Sequence, residues 1–500
     1  MQEFDLVLKN AFVNGAYVAD IGVKGGIITA LGLNLSPTED TQIIDCEKAI
    51  VTPGGIDGHV HLAQDQSPRA KEAGYRCADN VETGTRSAVA GGTTTVMLFA
   101  EQSRGQSLLE AVENYHALVA SQGSYADYGF HAIITDPSEK VLQEELPVLA
   151  QQGIMSMKLF LTYKHMRISD HQFLHALLKA RELGMIALVH AENGDLVDFF
   201  TEQLEARNLT DSKYKAIAHP SAAEAEATNR AVTFSTVMDT PLLIVHVSVP
   251  ESAKVIRKAQ ANLQPIFAET CPQYLLLGKA KLDQEHFCGA KFICSPPLRS
   301  EKKDIDAIWR GLVNGTFNIF SSDHCPYRFE DPSGKQLGLT RADNGNPQGM
   351  FTKTPNGLPG VETRVPLLFS EGVLRRKCID VKRFVELTSE NPAKLYGMYP
   401  QKGAIQIGSD ADLVIWHPES FTPRRLKHSR DLHDNCDYSP YEDIEFLNWP
   451  KITVLRGRVV FRDGVVQGRS GYGNFIKRGK CAMPVVRVME QEWDVLHAAV

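Results

Sequence analysis

The stretch Val51-Thr-Pro-Gly-Gly-Ile-Asp-Gly-His-Val-His-Leu62 ends an apolar run with two histidines two residues apart. Residues i and i+2 of a β-strand project to the same face, so His59 and His61 would present two imidazoles to one point beyond the strand. Imidazole nitrogen is a good ligand for zinc and similar divalent ions. Two histidines on one strand are more often ordinary polar residues, so the interpretation depends on what the rest of the chain supplies.

Further apolar segments of strand length follow, and segments with helical periodicity separate most of them. The predicted strands are 56–62, 93–99, 129–135, 155–161, 185–190, 242–247, 265–270 and 317–321. The predicted helices include 78–90, 107–121, 172–183, 222–238 and 251–261. This alternation predicts right-handed βαβ units and a parallel sheet, and eight such units predict an α/β fold of the TIM-type (β/α)8 barrel class. An open doubly wound sheet is the alternative, but no glycine-rich phosphate motif follows the first strand.

Both ends of the chain are rich in short strand-like segments separated by Gly and Asn turns. We therefore expect a small β-sandwich domain formed from both termini, residues 1–52 and 404–470. The barrel would occupy residues 53–403, and residues 471–500 would form a C-terminal arm at a subunit contact.

The composition excludes several classes of function. Of the 500 residues, 43% are apolar and 23% are charged, which predicts a large buried core. The net charge of -7 gives no attraction to nucleic acid or to anionic membranes. No apolar run approaches the roughly 20 residues that span a bilayer. Nine cysteines without paired spacing, and no signal-like N-terminus, predict reduced thiols in a cytoplasmic protein.

Barrel enzymes place their chemistry at the C-terminal ends of the strands. Lys158 lies in the fourth predicted strand, His190 ends the fifth, His246 lies near the end of the sixth, and Asp323 follows the eighth. Any one of them has an ordinary explanation as a buried histidine, a snorkelling lysine or a helix cap. Together with the first two histidines they indicate one metal site.

Charge balance suggests a role for Lys158. Two divalent ions would bring four positive charges into the cleft, which Asp323 alone cannot offset. An ammonium group would add to the excess. If burial keeps the Lys158 amine neutral, capture of carbon dioxide gives a carbamate whose two oxygens can bridge two metals.

The chain resembles the binuclear amidohydrolase superfamily, and more narrowly the D-hydantoinases and dihydropyrimidinases. The resemblance covers nearly the whole chain. Besides the ligand set, it rests on nine motifs: Glu82-Thr-Gly-Thr85, Gly91-Gly-Thr-Thr-Thr95, Lys158-Leu-Phe-Leu-Thr-Tyr163, His190-Ala-Glu-Asn-Gly-Asp195, Cys271-Pro-Gln-Tyr274, Ser295-Pro-Pro-Leu-Arg299, Asn356-Gly-Leu-Pro-Gly-Val-Glu362, Asn391-Pro-Ala-Lys-Leu-Tyr-Gly397 and Asp437-Tyr-Ser-Pro-Tyr-Glu442.

The resemblance implies two divalent metal ions held by six side chains. One ion would be held by His59, His61 and Asp323 and the other by His190 and His246, with Lys158 bridging them as N6-carboxylysine. Zinc is expected, although manganese or cobalt would also suit these ligands. A homo-oligomer, a tetramer or a dimer, is expected as well.

The resemblance also implies a reaction, which is hydrolysis of the cyclic amide bond of a hydantoin or dihydropyrimidine. Hydroxide held between the metals would attack the ring carbonyl, and Tyr163 would stabilise the oxyanion. Asp323 would carry the proton to the leaving ring nitrogen. Backbone groups at Ser295 and Asn356 would hold the cyclic amide, and the product would be an N-carbamoyl amino acid. Plain turn chemistry is the alternative explanation of these two loop residues.

The loop after the first strand, residues 63–75, departs from the pattern of the family. Leu62-Ala63 stands where a dihydroorotase is expected to carry an arginine, and Arg69 is a loop cation that would replace it only by moving in. The loop is also unlike the apolar one of typical hydantoinases. Allantoinase, dihydroorotase and cyclic imidase activities therefore stay open, as do the size and the handedness of the ring substrate. Hydrolysis of acyclic amides or phosphoesters is disfavoured by Tyr163 and by the loops of Ser295 and Asn356.

A non-enzymatic function is the remaining alternative. Relatives such as the collapsin-response mediators use this fold as an assembly scaffold, and such a protein is expected to lack metal ligands. Every ligand position is filled in this chain. The sequence therefore predicts an enzyme that acts on a small cyclic ureide or imide.

Overall fold

The computed structural model describes residues 3–66, 68–300, 302–341 and 347–484. Eight parallel strands form a nearly closed barrel in which each strand pairs with its neighbours in chain order. The first and last strands approach at a bridge between Val60 and His324. The predicted TIM-type barrel is confirmed. Its strands are Gly55–Val60, Thr93–Glu101, Asp127–Ile133, Ser156–Phe160, Ile186–His190, Leu242–Ile244, Ile266–Thr270 and Ile319–Phe320.

All eight predicted strands are present, but the sixth and the eighth are shorter than the sequence suggested. The sixth ends at Ile244 and the eighth at Phe320. The backbone leaves the extended conformation soon afterwards, because His246 has a φ of 40° and Asp323 has a φ of 50°. These values lie in the left-handed region, which cannot continue a strand.

Helices pack around the barrel and cover the outer face of its strands. The helix Asp170–Leu183 shows how local sequence sets their ends. Ser169 and Gln172 form a reciprocal capping box at its start, and Gly184 takes the left-handed conformation at its end. The α-helices are Pro68–Ala73, Val81–Ala90, Leu108–Gln122, Leu146–Gln151, Asp170–Leu183, Gly194–Glu205, Lys215–Ala218, Ser221–Met238, Pro250–Ala261, Pro272–Leu276, Lys303–Val313, Arg364–Leu368, Val381–Val385, Asn391–Leu395 and His428–Asp431.

Strands from both ends of the chain form a second, nine-stranded sheet. Ile50–Pro53 pairs antiparallel with Leu413–Trp416, and this pairing joins the N-terminal strands to the C-terminal ones. The strands of the two termini thus belong to one sheet. The predicted domain boundaries stay a prediction. The strands are Leu6–Val13, Tyr17–Lys24, Ile27–Gly32, Gln42–Asp45, Ile50–Pro53, Leu413–Trp416, Pro450–Leu455, Arg458–Arg462 and Val465–Val466. Two small two-stranded sheets, Leu339–Arg341 with Pro347–Gly349 and Arg424–Arg425 with Glu445–Phe446, lie outside these two sheets.

A buried ion cluster ties the nine-stranded sheet to the barrel. The ammonium of Lys402, only 1% exposed, lies 2.5 Å from Asp127, 2.7 Å from Asp412 and 2.9 Å from Asp410. Asp127 begins the third barrel strand, and Asp412 immediately precedes a strand of the other sheet. Removing one partner of such a buried cluster leaves uncompensated charge, so Lys402 is a structural residue remote from the barrel's C-terminal edge.

The first part of the predicted C-terminal arm packs against its own barrel. Asn474 accepts a hydrogen bond from the backbone of Tyr128, and Arg478 donates one to Gly153. Residues 485–500 of the arm lie outside the described residues, and the subunit contact predicted for it stays a prediction. Across the described ranges, no helix combines the length and the hydrophobicity that a membrane crossing requires.

Candidate metal centre and active site

A cavity of about 430 Å³ opens at the C-terminal ends of the barrel strands. Its wall includes every side chain that the sequence predicted for the site, although these residues are up to 297 positions apart. They are His59, His61, Lys158, Tyr163, His190, His246, Ser295, Asp323 and Asn356. The barrel topology therefore assembles the predicted set into one place.

Three of the candidate ligands form a tight group. The ligand atoms of His59, His61 and Asp323 all lie within 4.8 Å of one another. The Oδ1 atom of Asp323 is 3.3 Å from Nε2 of His59 and 3.6 Å from Nε2 of His61. Two imidazole nitrogens and a carboxylate oxygen converging in this way suit a divalent cation.

The other candidates adjoin this group. The rings of His190 and His246 are 4.4 Å apart, and the ring of His246 is 5.5 Å from that of His59. The Nζ atom of Lys158 is 3.5 Å from Nε2 of His59. The lysine is 1% exposed, and burial lowers its pKa to about 8. A neutral amine, the form that reacts with carbon dioxide, is therefore accessible near neutral pH.

Neighbouring acceptors orient three of the histidines. The Nδ1 atom of His59 is 2.8 Å from Glu269, Nδ1 of His61 is 2.9 Å from Gln64, and Nε2 of His190 is 2.6 Å from Glu192. Each contact occupies one ring nitrogen and leaves the other available for an ion. Such partners fix the tautomer and the direction of a ligating imidazole.

His246 provides a separate test of whether a metal fits. Its Nδ1 atom is buried and has no hydrogen-bond partner among the described residues. A buried polar atom without a partner is costly unless a ligand satisfies it. Burial also lowers the pKa of both His246 and His59, which keeps these rings in the neutral form that binds metal. The residues present fit a metal centre.

Tyr163, Ser295 and Asn356 lie together on one wall of the cavity. All three residues line the cavity, and Ser295 Oγ is 3.5 Å from Asn356 Oδ1. Burial raises the pKa of Tyr163, so its hydroxyl stays protonated and can donate. Its φ of 64° places it in the left-handed region, as for His246 and Asp323. Strained backbone of this kind is concentrated at functional sites.

Sequence reasoning missed Glu269, Gln64 and Lys353. Glu269 lies in the seventh barrel strand, fully buried, and is an acidic residue in an otherwise apolar segment. That contrast was a usable signal, because buried carboxylates require a partner. Lys353 lines the cavity but is exposed, and no motif marks it. The side chain of Arg69, the loop cation considered from the sequence, lies outside the described residues.

Glu269 also accepts a hydrogen bond from the backbone N–H of His246 at 3.0 Å. One carboxylate therefore supports both His59 and His246. We expect Glu269→Gln, which keeps the volume and removes the charge, to weaken metal binding by about 10–100-fold. Competition against a chromogenic chelator measures this change. Glu145→Gln is the matched control, because that carboxylate is also buried but caps the helix Leu108–Gln122. Equal metal affinities in the two variants would contradict the supporting role of Glu269.

Comparison with known proteins agrees with this geometry. The model of the amidohydrolase family matches residues 50–460. A D-hydantoinase from Ralstonia pickettii is 39% identical over 480 residues, covering 95% of this chain and 99% of that protein. A D-phenylhydantoinase from Escherichia coli O1:K1 / APEC is 37% identical over 486 residues, covering 96% of this chain and 100% of the relative.

The solved structures lead to the same group of proteins. The crystal structure of dihydropyrimidinase from Brevibacillus agri NCHU1002 superposes with a TM-score of 0.88 at 37% identity, over 96% of this chain and 99% of that one. Sequence identity and fold thus agree over nearly the full length of this chain and of these relatives. The chain belongs to the amidohydrolase family, in the branch of the hydantoinases and dihydropyrimidinases.

Proposed function

We propose that this chain is a metal-dependent cyclic amidohydrolase that opens a hydantoin or dihydropyrimidine ring to give an N-carbamoyl amino acid. The observation that carries the proposal is the single cavity lined by all nine predicted side chains. The relatives named as D-hydantoinase and dihydropyrimidinase support the substrate class. A scaffold protein has no need of a complete ligand set.

Two divalent ions fit the donor groups on the cavity wall. His59, His61 and Asp323 would hold one ion, and His190 and His246 would hold the other. Zinc is expected because imidazole nitrogens dominate the set. When bound, the pair would make hydroxide available from water near neutral pH and polarise a carbonyl.

Carbamylation of Lys158 completes the charge balance of this site. The neutral amine nitrogen forms a bond to the carbon of carbon dioxide and releases one proton, which leaves an anionic carbamate with two oxygens. The position of Lys158 beside His59 and its lowered pKa support this proposal. As a cation, Lys158 would repel both metals.

The side chains of the cavity divide the remaining work of amide hydrolysis. Tyr163 donates its hydroxyl to the oxyanion that develops on the ring carbonyl. Asp323 accepts the proton of the attacking water and returns it to the leaving ring nitrogen. Backbone groups near Ser295 and Asn356 hold the amide edge of the ring, on the wall that also carries Tyr163.

We also propose that the protein is cytoplasmic and homo-oligomeric. None of its nine cysteines, which all fall within the described ranges, takes part in a disulfide bond, as expected in a reducing compartment. Assembly as a dimer or tetramer is what the resemblance to the hydantoinases and dihydropyrimidinases implies.

We expect the purified, metal-loaded protein to hydrolyse dihydrouracil or a 5-substituted hydantoin but not dihydroorotate. A ring carboxylate buried near the metals needs a paired cation, and Leu62 and Ala63 supply none. Lys353 lies on the exposed part of the wall, where water screens its charge. Ring opening is followed by ultraviolet absorbance, with allantoin and succinimide included to test the other cyclic amidohydrolase activities.

The same assay also shows what would follow if dihydroorotate were hydrolysed. A higher kcat/KM for dihydroorotate than for either ureide would show that a cation reaches the pocket and that the narrower substrate assignment is wrong. Lys353→Met and Arg69→Met, assayed in parallel, would then show which cation is responsible.

A further inference from the structure

Lys335 is fully buried, and the reaction described above assigns it no role. It begins the short 3₁₀ helix Lys335–Gly338. Its Nζ atom donates hydrogen bonds to three backbone carbonyls, at 2.9 Å to Ile293, 2.7 Å to Pro355 and 2.8 Å to Gly357. The first carbonyl lies two residues before Ser295, and the other two flank Asn356.

This contact uses the whole donor capacity of an ammonium group. A protonated lysine has three N–H donors and a neutral amine has two, so the three bonds require the charged form. Burial lowers the pKa of Lys335 to about 7, so burial disfavours the charged form that the three bonds require. An apolar residue of similar size would avoid this cost. A role in holding the three carbonyls explains why a lysine occupies the position.

The loops of Ser295 and Asn356 lie close to each other. The backbone N–H of Gly357 donates to the Ile293 carbonyl at 3.0 Å, so that carbonyl accepts from both Gly357 and Lys335. A Cβ atom on Gly357 would lie 2.2 Å from the carbonyl oxygen of Cys325, and the φ of Gly357 is 149°. Glycine is therefore required where this loop passes the residues that follow the last barrel strand.

The Ser295 loop also has an anchor of its own. Tyr274 donates its hydroxyl to the Pro296 carbonyl at 2.7 Å. Lys335 differs from that anchor because its three bonds join the Ser295 segment to the Asn356 segment. Together with the bond from Gly357 to Ile293, it connects the two segments.

We propose that Lys335 is a positioning residue for the substrate, which fixes the spacing of the backbone groups at Ser295 and Asn356 that hold the cyclic amide. The inference rests on the substrate role proposed for these loops. The three hydrogen bonds of Lys335 go to the loops, and none of them goes to a candidate metal ligand. Loss of the lysine should therefore weaken substrate binding while the metal centre persists.

The test is Lys335→Met, which keeps most of the volume and removes all three donors. We expect KM for a 5-substituted hydantoin to rise by about tenfold, with kcat changed by less than about threefold. Metal content, measured on the same sample by plasma mass spectrometry, should equal that of the wild type. Lys335→Gln retains two N–H donors and should give an intermediate KM.

Lys402→Met is the matched control. Lys402 is also a buried lysine with three oxygen acceptors, but it joins the barrel to the terminal sheet. We expect this variant to melt at a lower temperature and to keep the wild-type KM in the folded range. The comparison separates loss of stability from loss of substrate positioning.

A KM for Lys335→Met that matches those of the wild type and Lys402→Met would overturn the proposal, and so would loss of metal. If Lys335→Met does not give folded protein, Lys335→Gln is judged by the same criteria. A wild-type protein that opens no cyclic ureide would instead refute the proposed function, so the two failures are distinguishable.

Discussion

Replacing Lys158 with alanine is expected to lower the metal content of the purified protein and to reduce hydrolysis by more than about 10³-fold, which exceeds the loss of a single oxyanion donor. The lysine is buried 3.5 Å from His59 in the middle of the candidate ligands. Without its carbamate, the two cations would be left with Asp323 as the one anionic ligand of the proposed set. Their mutual repulsion would then go largely uncompensated.

Chemical rescue makes this prediction specific to a bridging carbamate. Alanine leaves space for acetate or propionate, whose carboxylate has the same two-oxygen geometry, and either acid should restore part of the activity and of the metal content. Lys158→Arg is the control, because it keeps a positive charge and cannot form the carbamate. Full activity and full metal content in Lys158→Ala would refute the bridging role.

Replacing Tyr163 with phenylalanine is expected to lower kcat by about 10²–10³, the usual effect of removing one oxyanion donor. The substitution keeps the ring, which packs 5.3 Å from that of His190, and removes only the hydroxyl. Burial raises the pKa of this phenol, so the wild-type group is a donor throughout the neutral range. Metal content should not change.

Steady-state kinetics on a hydantoin, with metal analysis of the same sample, measure this effect. Tyr327→Phe is a matched control, because Tyr327 is a second tyrosine on the cavity wall, and no catalytic role is proposed for it. A near-normal kcat in Tyr163→Phe would reduce that residue to a packing role.

The barrel was predictable because its strands are buried on both faces and appear in the sequence as short apolar runs. The ends of the strands were less predictable. Ile244 and Phe320 end their strands early because the chain then turns into the left-handed region at His246 and Asp323. The left-handed backbone at these two residues depends on the contacts of the whole site. No local pattern of hydrophobicity in the sequence marks it.

The candidate ligands were predictable because they stand at strand ends, which a barrel brings together. The groups that support them were not. Glu269 contacts His59 across 210 positions, and Lys335 reaches carbonyls 20 to 42 positions away. Such contacts depend on loop conformation rather than on spacing. Lys335 also lies in an irregular segment where a lysine looks like an ordinary surface residue.

Titration of metal-free protein with zinc tests the central claim, that opening of a cyclic ureide depends on a two-metal centre. The protein is stripped with a chelator, supplied with bicarbonate, and assayed with a 5-substituted hydantoin after each addition of zinc. We predict that activity rises until two equivalents per chain are bound and then levels off. Full activity without metal, or no ring opening at two bound equivalents, would contradict the account.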